Sequence, residues 1–425
     1  MGPTDRRPDR HGRARLSRRQ FTAGAVAAGA VTGLGVGPSA PAIAQAAQLK
    51  IGLVLPRTGY LAQAGQSCFR AAEIAPGLIA GELGVKVELQ SADFESNVEL
   101  ARARTEKLIN DGAHIMVGCF DSGGASAMAQ VCEQRGVPLV INIGAAPQIT
   151  EQGYKTVFRN FPTSPQLARN GLNLLKDLFA ATGTTPKTAV FMHANDTFGL
   201  SAKAAFDTFV PQLGFPFQVL DSISYDPKAQ DLSVEVAKAK ATAAELLLVT
   251  TRAADAIMLV RELVKQRYEP KGVISPGSPG MYDEQFYKTL GKYADYCLTN
   301  VPWYDPKSAP TQRVAAAFKK QFPNDPFEAH AFNVGFTYEA LLTAAAAYKR
   351  AGSADPQALL AALRQTEIAE HMMIGGPIGF DEKGQNNKIA SAGVQNFERR
   401  PTVVLPAAAA EHAPVFPMPG WSKRT

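Results

Sequence analysis

The sequence predicts an α/β protein built as two open, parallel-sheet lobes with a ligand cleft between them. Three observations carry that expectation. Short β-rich runs alternate with longer helical patterns from residue 49 onward, the pattern runs to about residue 142 and restarts at 188, and several strand candidates are apolar on both faces. Strands hidden on both sides belong to parallel sheets covered by helices on each face.

In the first unit, strands are expected at 49–55, 85–92, 113–118 and 138–142, with helices at 65–80, 97–110 and 122–135 between them. The 97–110 segment places Leu100, Leu108 and Ile109 on one side, the spacing of an amphipathic helix. The second unit has strands at 188–193, 218–225, 245–250 and 272–275, and helices at 197–213, 231–240 and 253–266. Phe161-Pro162-Thr163-Ser164-Pro165 reads as the seam between the units. After 294–300 the chain turns mainly helical, at 311–321 and 327–351, and it ends in a Pro-rich tail, 401–421. No period of 20–50 residues recurs, which argues against a solenoid.

Composition agrees with a folded chain of two or three domains. The 425 residues are 46% hydrophobic and 19% charged, which excludes a disordered chain, a collagen-like fibre or a small disulfide scaffold. A formal net charge of +6 at first points to nucleic acid, but residues 1–44 hold seven Arg, no Lys and two acids and so carry +5 of it. The remainder has no net basic field for phosphates, so nucleic acid is excluded as the default partner.

That basic segment has the three parts of an export signal. The Arg-rich start precedes an uncharged Ala/Gly-rich stretch, 22–36, and the small-residue site Ala42-Ile43-Ala44, so cleavage is expected after Ala44. Ser17-Arg18-Arg19-Gln20-Phe21 resembles the twin-arginine signal of folded exported proteins, although Thr22 and Ala23 replace the Leu and Lys of that pattern. The stretch is too short and too weakly apolar for a membrane anchor, so the mature protein is expected to be soluble in the periplasm. Cys68, Cys119, Cys132 and Cys297 follow no metal-ligand spacing. They read as small buried hydrophobes with room for one bridge, and the three full pairings of four cysteines stay open.

In open α/β sheets small molecules bind beyond the carboxyl ends of the strands. Asp121-Ser122-Gly123-Gly124 stands at such a position, where a helix begins. Its free N–H groups and the Ser122 hydroxyl suit a ligand carboxylate, and a simple N-cap role for Ser122 is compatible with that. Asp-Ser-Gly-Gly is also the nucleophile motif of chymotrypsin-like proteases, but only His11 and His114 precede it; His11 is expected to leave with the leader, and His114 lies in an apolar strand without protease-like flanks. His193, His330, His371 and His412 are scattered and form no zinc motif.

Six stretches in order carry a family resemblance: Ile51-Gly52-Leu53 through Pro56-x-Thr58-Gly59, Gly136-Val137-Pro138, Gly153-Tyr154 through Phe158-Arg159, Asn195-Asp196-x-Phe198-Gly199, Gly379-Phe380-Asp381-x-x-Gly384, and the Pro-rich end. With them the chain resembles the periplasmic solute-binding proteins of ABC importers, in the leucine/isoleucine/valine-binding branch of the type I fold. The resemblance implies a hinge crossed three times, with lobe one at 49–162 plus 302–374 and lobe two at 163–301 plus 375–425. It implies that Ser122 and neighbouring backbone, Asp121 and Gly123 included, hold the ligand carboxylate. It places Phe198 over the ligand from lobe two, and Thr250 and Thr251 facing the cleft. Tyr60 follows the first strand and closes one side, while Trp303 and Tyr304 suit hinge packing better than ligand contact.

Two departures from that family bear on the solute. The 276–282 loop, with Ser278 and Tyr282, lacks the acid that pairs with an amino-acid ammonium, and Ala145 or Ala146 replaces a hydroxyl-bearing residue. Either Asp121 or Asp283 substitutes, or the ligand has no α-amine, which makes an aromatic or aliphatic carboxylate a competitor to a branched-chain amino acid. The expected function is the receptor of an ABC transporter, mostly monomeric, with a small carboxylate-bearing solute and an inner-membrane permease with its ATPase as partners. No cofactor or metal and no catalysis are expected. The rivals are a sensory ligand receptor with the same pocket and, behind it, an exported enzyme.

Overall fold

The computed structural model describes residues 48–425, so the expected export signal at 1–44 lies outside the described residues. Nine elements make the first layer set: β1 (Leu49–Leu55), α1 (Ala62–Leu83), β2 (Val87–Asp93), α2 (Val98–Asn110), β3 (Ile115–Gly118), α3 (Ser122–Arg135), β4 (Leu139–Ile141), α4 (Gln148–Glu151) and β5 (Val157–Arg159). The strands form one parallel sheet in the order β2-β1-β3-β4-β5. β3 and β4 are buried along their whole length, as strands covered on both faces must be.

The chain then enters α5 (Ser164–Thr182), β6 (Thr188–Ala194), α6 (Thr197–Gln212), β7 (Gln218–Tyr225), α7 (Ser233–Ala241), β8 (Leu246–Thr250), α8 (Ala253–Lys265), β9 (Gly272–Ser275), α9 (Glu284–Leu290) and β10 (Leu298–Pro302). Three helices follow, α10 (Ala309–Gln321), α11 (Phe327–Ala351) and α12 (Pro356–Arg364), and last come β11 (Ser391–Phe397) and β12 (Arg400–Leu405). The second sheet runs β12-β11-β10-β9-β8-β6-β7 and is parallel from β10 to β7. β11 and β12 join it antiparallel. α11 packs along α1 and is buried at 19 of its 25 residues, so it belongs to the first sheet's core rather than to a surface.

Two open α/β lobes are therefore present, with three differences from the sequence reading. The 161–165 seam does lie between β5 of the first sheet and β6 of the second, but it also holds the unexpected start of α5, where Thr163 and Gln166 form a capping box and Pro165 sits in the first turn, a position that tolerates its missing N–H. The Pro-rich tail contains β12, which accommodates Pro401 at the sheet's outer edge. The third crossing falls later than Gly375-Gly376. Arg159 N donates to Gly384 O at 2.7 Å, Asn386 N donates to Arg159 O at 3.0 Å, and Asn386 Nδ2 donates to Asn160 Oδ1 at 2.9 Å. Those bonds extend the first sheet beyond β5, and pairing with the second sheet begins only at Ser391.

In each lobe the helix that follows the first strand starts hard against that strand's carboxyl end. A Cβ at Gly65 would lie 1.7 Å from Pro56 O, and one at Gly199 would lie 1.9 Å from Ala194 O. Only glycine permits those approaches, and they bring the helix starts of both lobes to the carboxyl ends of the strands. All four cysteines are buried free thiols, with no bridge among the described residues.

Candidate functional site

The carboxyl ends of the two sheets face each other around a narrow interlobe cavity. From the first lobe it is lined by Phe120, Ser122, Ile143, Gly144, Ala145 and Phe161, with Phe332 of α11 beneath. From the other side come Leu167, Phe198, Arg252, Gly277 and Pro279, with Val301 of β10 at the hinge. The walls are apolar except for one hydroxyl and one guanidinium.

Ser122 opens α3 and is 1% exposed. Its Oγ accepts from Ala145 N at 3.1 Å and Ala146 N at 3.3 Å, which leaves its own proton to donate. Among the described residues no histidine hydrogen-bonds to Ser122. Asp121 is the N-cap, its Oδ2 accepting from Gly124 N at 2.9 Å. Behind the Ala145-Ala146 loop lies Arg159, fully buried and with neutral acceptors: Gly144 O at 3.0 Å, Ala146 O at 2.7 Å, Thr150 Oγ1 at 2.7 Å and Gln385 Oε1 at 2.6 Å. Burial pulls its pKa down to about 9. By holding two carbonyls of the loop, it turns the intervening amides toward Ser122.

The sequence reading missed Arg252, the one charged side chain on the cavity wall. It precedes α8, its NH1 donating to Asp196 Oδ2 at 2.7 Å within its own lobe and its NH2 to Asp121 Oδ1 at 3.1 Å across the cleft. Its guanidinium also lies 5.1 Å from the centre of the Phe198 ring. Burial opposes its charge, but Asp196 and Asp121 overrule burial and hold its pKa above the usual value. A signal existed: a cation at a helix start opposes the helix dipole and needs acids nearby, which Asp121 and Asp196 supply from two equivalent loops. Asp255, in the first turn of α8, accepts from Arg252 N at 2.7 Å and Tyr225 OH at 2.5 Å, and burial lifts its pKa to about 6.

The remaining expected residues divide. Ser122, Ala145 and Phe198 line the cavity. Asp121 and Ala146 support that wall, while Gly123 packs against the Asp121 carboxylate and Val98. Thr250 lines an adjoining cavity instead. Ser278 closes its own loop, bonded to Ser275 and to Thr251 N at 2.9 Å. Thr251 Oγ1 is buried without a partner next to Gly280. Tyr282 stands one layer back, its ring 5.3 Å from Phe332 and 5.0 Å from Trp303. Tyr60 is half-buried near the cleft, where burial and then Asp121 raise its pKa. Trp303 and Tyr304 stack in the hinge region, 5.4 Å apart. The Pro276–Tyr282 loop ends at Asp283, whose carboxylate caps α9 and accepts from Gln63 Nε2 of α1.

Two α/β lobes meeting at the carboxyl ends of their strands around a small apolar cavity define a solute receptor rather than a surface-binding module. The chain belongs to the periplasmic binding protein family, whose model matches residues 48–395, and within it to the leucine/isoleucine/valine-binding group of type I proteins. It is 26% identical over 378 residues to Leu/Ile/Val-binding protein homolog 7 of Brucella suis biovar 1 (strain 1330), covering 86% of this chain and 93% of that one. A leucine-binding protein from Thermotoga maritima superimposes with a TM-score of 0.71 at 19% identity, covering 84% and 97% of the two chains. A solute-binding protein of an ABC transporter from R. palustris, in complex with benzoate, gives 0.72 at 20% identity, covering 86% and 98%.

Proposed function

We propose that this chain is the periplasmic receptor of an ABC importer and captures a small apolar carboxylate, aromatic or aliphatic, that carries no α-amine. The observation behind this reading is the cavity wall: apolar side chains, one hydroxyl and one guanidinium, with no acid on it. Asp121 and Asp196 stand nearby, but both already accept from Arg252. An α-ammonium shut into this space would lack a carboxylate partner, at a cost of several kcal/mol. A ligand carboxylate, in contrast, finds the Ser122 proton, the start of α3 and Arg252 as donors. The benzoate held by the R. palustris relative supports the same chemistry.

Capture proceeds by closure of the two lobes. A solute that touches Ser122 from one side and Phe198 and Arg252 from the other favours the closed form by its differential affinity. The closed receptor then presents both lobe faces to the permease, whose ATPase drives uptake. No bond in the solute is broken, and the export signal at 1–44 delivers the receptor to the periplasm.

The test is calorimetric titration with matched pairs that differ only in the amine: 4-methylpentanoate against leucine, and 3-phenylpropanoate against phenylalanine. The des-amino member of each pair is expected to bind at least about 100-fold more tightly, the equivalent of about 3 kcal/mol. Tighter binding of either amino acid than of its des-amino partner would sink the reading.

A further inference from the structure

We propose that Arg159, which does not line the cavity, is the positioning residue that makes the site prefer an anion to a neutral solute; this rests on the carboxylate reading above. Its charge acts on the solute carboxylate through the Gly144–Ala145 peptide and the Ser122 hydroxyl. The two arginines at this wall differ in what balances them. Arg252 already bonds Asp121 and Asp196, so it offers a donor but no surplus charge. Arg159 is fully buried, and its acceptors are all neutral oxygens: the carbonyls of Gly144 and Ala146, the Thr150 hydroxyl and the Gln385 amide. Gln385 is fixed with its oxygen toward Arg159, because its Nε2 donates to Phe161 O at 2.9 Å and Asn386 O at 2.6 Å. The acids that favour the Arg159 charge, Glu151 and Asp381, act only through space, and both are exposed. A buried cation without a carboxylate partner is costly, and an anion on the far side of the loop offsets part of that cost.

The backbone supplies the connection. A trans peptide unit points its C=O and its N–H in opposite directions. Arg159 NH1 donates to Gly144 O at 3.0 Å, and the N–H of the same unit, Ala145 N, donates to Ser122 Oγ at 3.1 Å. The next unit repeats the pattern: Ala145 O accepts from Ser164 N at 2.6 Å, and Ala146 N donates to Ser122 Oγ at 3.3 Å. Both lone pairs of the hydroxyl are then occupied, so Ser122 meets the cavity as a donor only. Hydrogen bonds that run in one direction polarise each other, and burial keeps water from screening them. The chain from guanidinium to hydroxyl thus ends in a proton whose best partner carries a full negative charge. Gly144 allows the loop its course, with φ +129°, a conformation other residues rarely adopt.

The experiment is calorimetric titration of the mature protein with 4-methylpentanoate and its neutral isostere, 4-methylpentanamide. The wild type is expected to prefer the carboxylate. Arg159→Gln keeps a donor without the charge; it is expected to weaken carboxylate binding about 10-fold or more and to leave the carboxamide within about threefold of wild type. Arg159→Lys restores the charge and is expected to recover most of the preference, a rescue that a merely structural role would not give. Equal losses for both ligands, or an unchanged ratio in Arg159→Gln, would overturn the role of Arg159 and leave the carboxylate reading standing. If Arg159→Gln does not fold, the wild type supplies an independent test by NMR. The Ala145 amide proton should move further downfield with the carboxylate than with the carboxamide, and equal shifts would overturn the connection. Failure of 4-methylpentanoate to bind, while leucine binds, would overturn the carboxylate reading and this inference with it.

Discussion

Replacing Arg252 by Met tests how the closed cleft is held. The guanidinium spans the lobes, 3.1 Å from Asp121 on one side and 2.7 Å from Asp196 on the other, and the side chains of Arg252 and Asp121 are only 9% and 7% exposed. Methionine matches the length of the stem but leaves two carboxylates facing each other without a cation. Removing one member of a buried pair costs about 3–5 kcal/mol, because the charges left behind stay desolvated. Here the molecule has an escape: opening the lobes lets water reach Asp121, so most of the cost falls on closure rather than on folding. Solute affinity should drop by about 100-fold or more, at 1.4 kcal/mol per decade, while the melting temperature of the empty protein moves by only a few degrees. Arg252→Lys keeps the charge but loses the fork that reaches both acids, so it should fall between. The assays are titration with 4-methylpentanoate and small-angle scattering of the empty protein, in which Arg252→Met should show a larger radius of gyration. Wild-type affinity together with an unchanged radius would refute the reasoning.

Three further predictions follow from buried groups. Burial raises the Asp283 carboxyl to about 6, so the folded state holds that proton more tightly than the unfolded chain and stability falls as pH rises from about 4 to 6. Asp283→Asn keeps a capping acceptor and should gain about 1–3 kcal/mol at pH 7.5 with a flatter pH profile; a loss at pH 7.5 in urea unfolding would count against this. Burial opposes the charge of His371, but Glu339 overrides it, Nδ1 lying 3.2 Å from Oε1, and lifts the pKa above 6.5. Its ionic contribution is full below pH 6.5 and is lost as pH rises through the raised value, so the stability deficit of His371→Gln should be larger at pH 6 than at pH 9, and a deficit that grows with pH would contradict the pairing. The four thiols are buried, and burial raises the pKa of each. A thiol reagent at pH 8 should therefore find none in the native protein and four in guanidinium chloride, whereas two or fewer in denaturant would reveal a bridge.

Much of the fold was legible because parallel α/β units repeat a strong signal. β3, β6, α3 and α8 lie within a residue or two of their expected bounds, since apolar runs mark the strands, apolar periodicity marks α8 and Asp121 marks the start of α3. α5 was hidden by its own cap: Phe161-Pro162-Thr163-Ser164-Pro165 looks like a linker until the side chains of Thr163 and Gln166 are seen to bond. β12 was hidden by Pro401, and the late third crossing by backbone bonds to β5 from residues more than 200 positions away.

The site was less legible than the fold. Ser122, Ala145 and Phe198 follow directly from strand ends and the family resemblance. Ser278 and Tyr282 sit in the right loop, but one closes the loop on itself and the other backs Phe332, a distinction set by rotamers rather than by sequence position. Phe161 and Phe332 reach the cavity from a segment crossing the hinge and from a helix of the first lobe, and no local pattern announces that meeting. Arg252 was readable only by setting three loops side by side and seeing that the cation and the two acids occupy equivalent strand ends.

The most direct test of the central claim is native mass spectrometry of the mature protein purified gently from cells, followed by release and identification of whatever is bound. A single adduct is expected that leaves unmodified on denaturation and is a small apolar carboxylate without an amine. An amino acid in that position, a covalent adduct or a tightly held metal would contradict it.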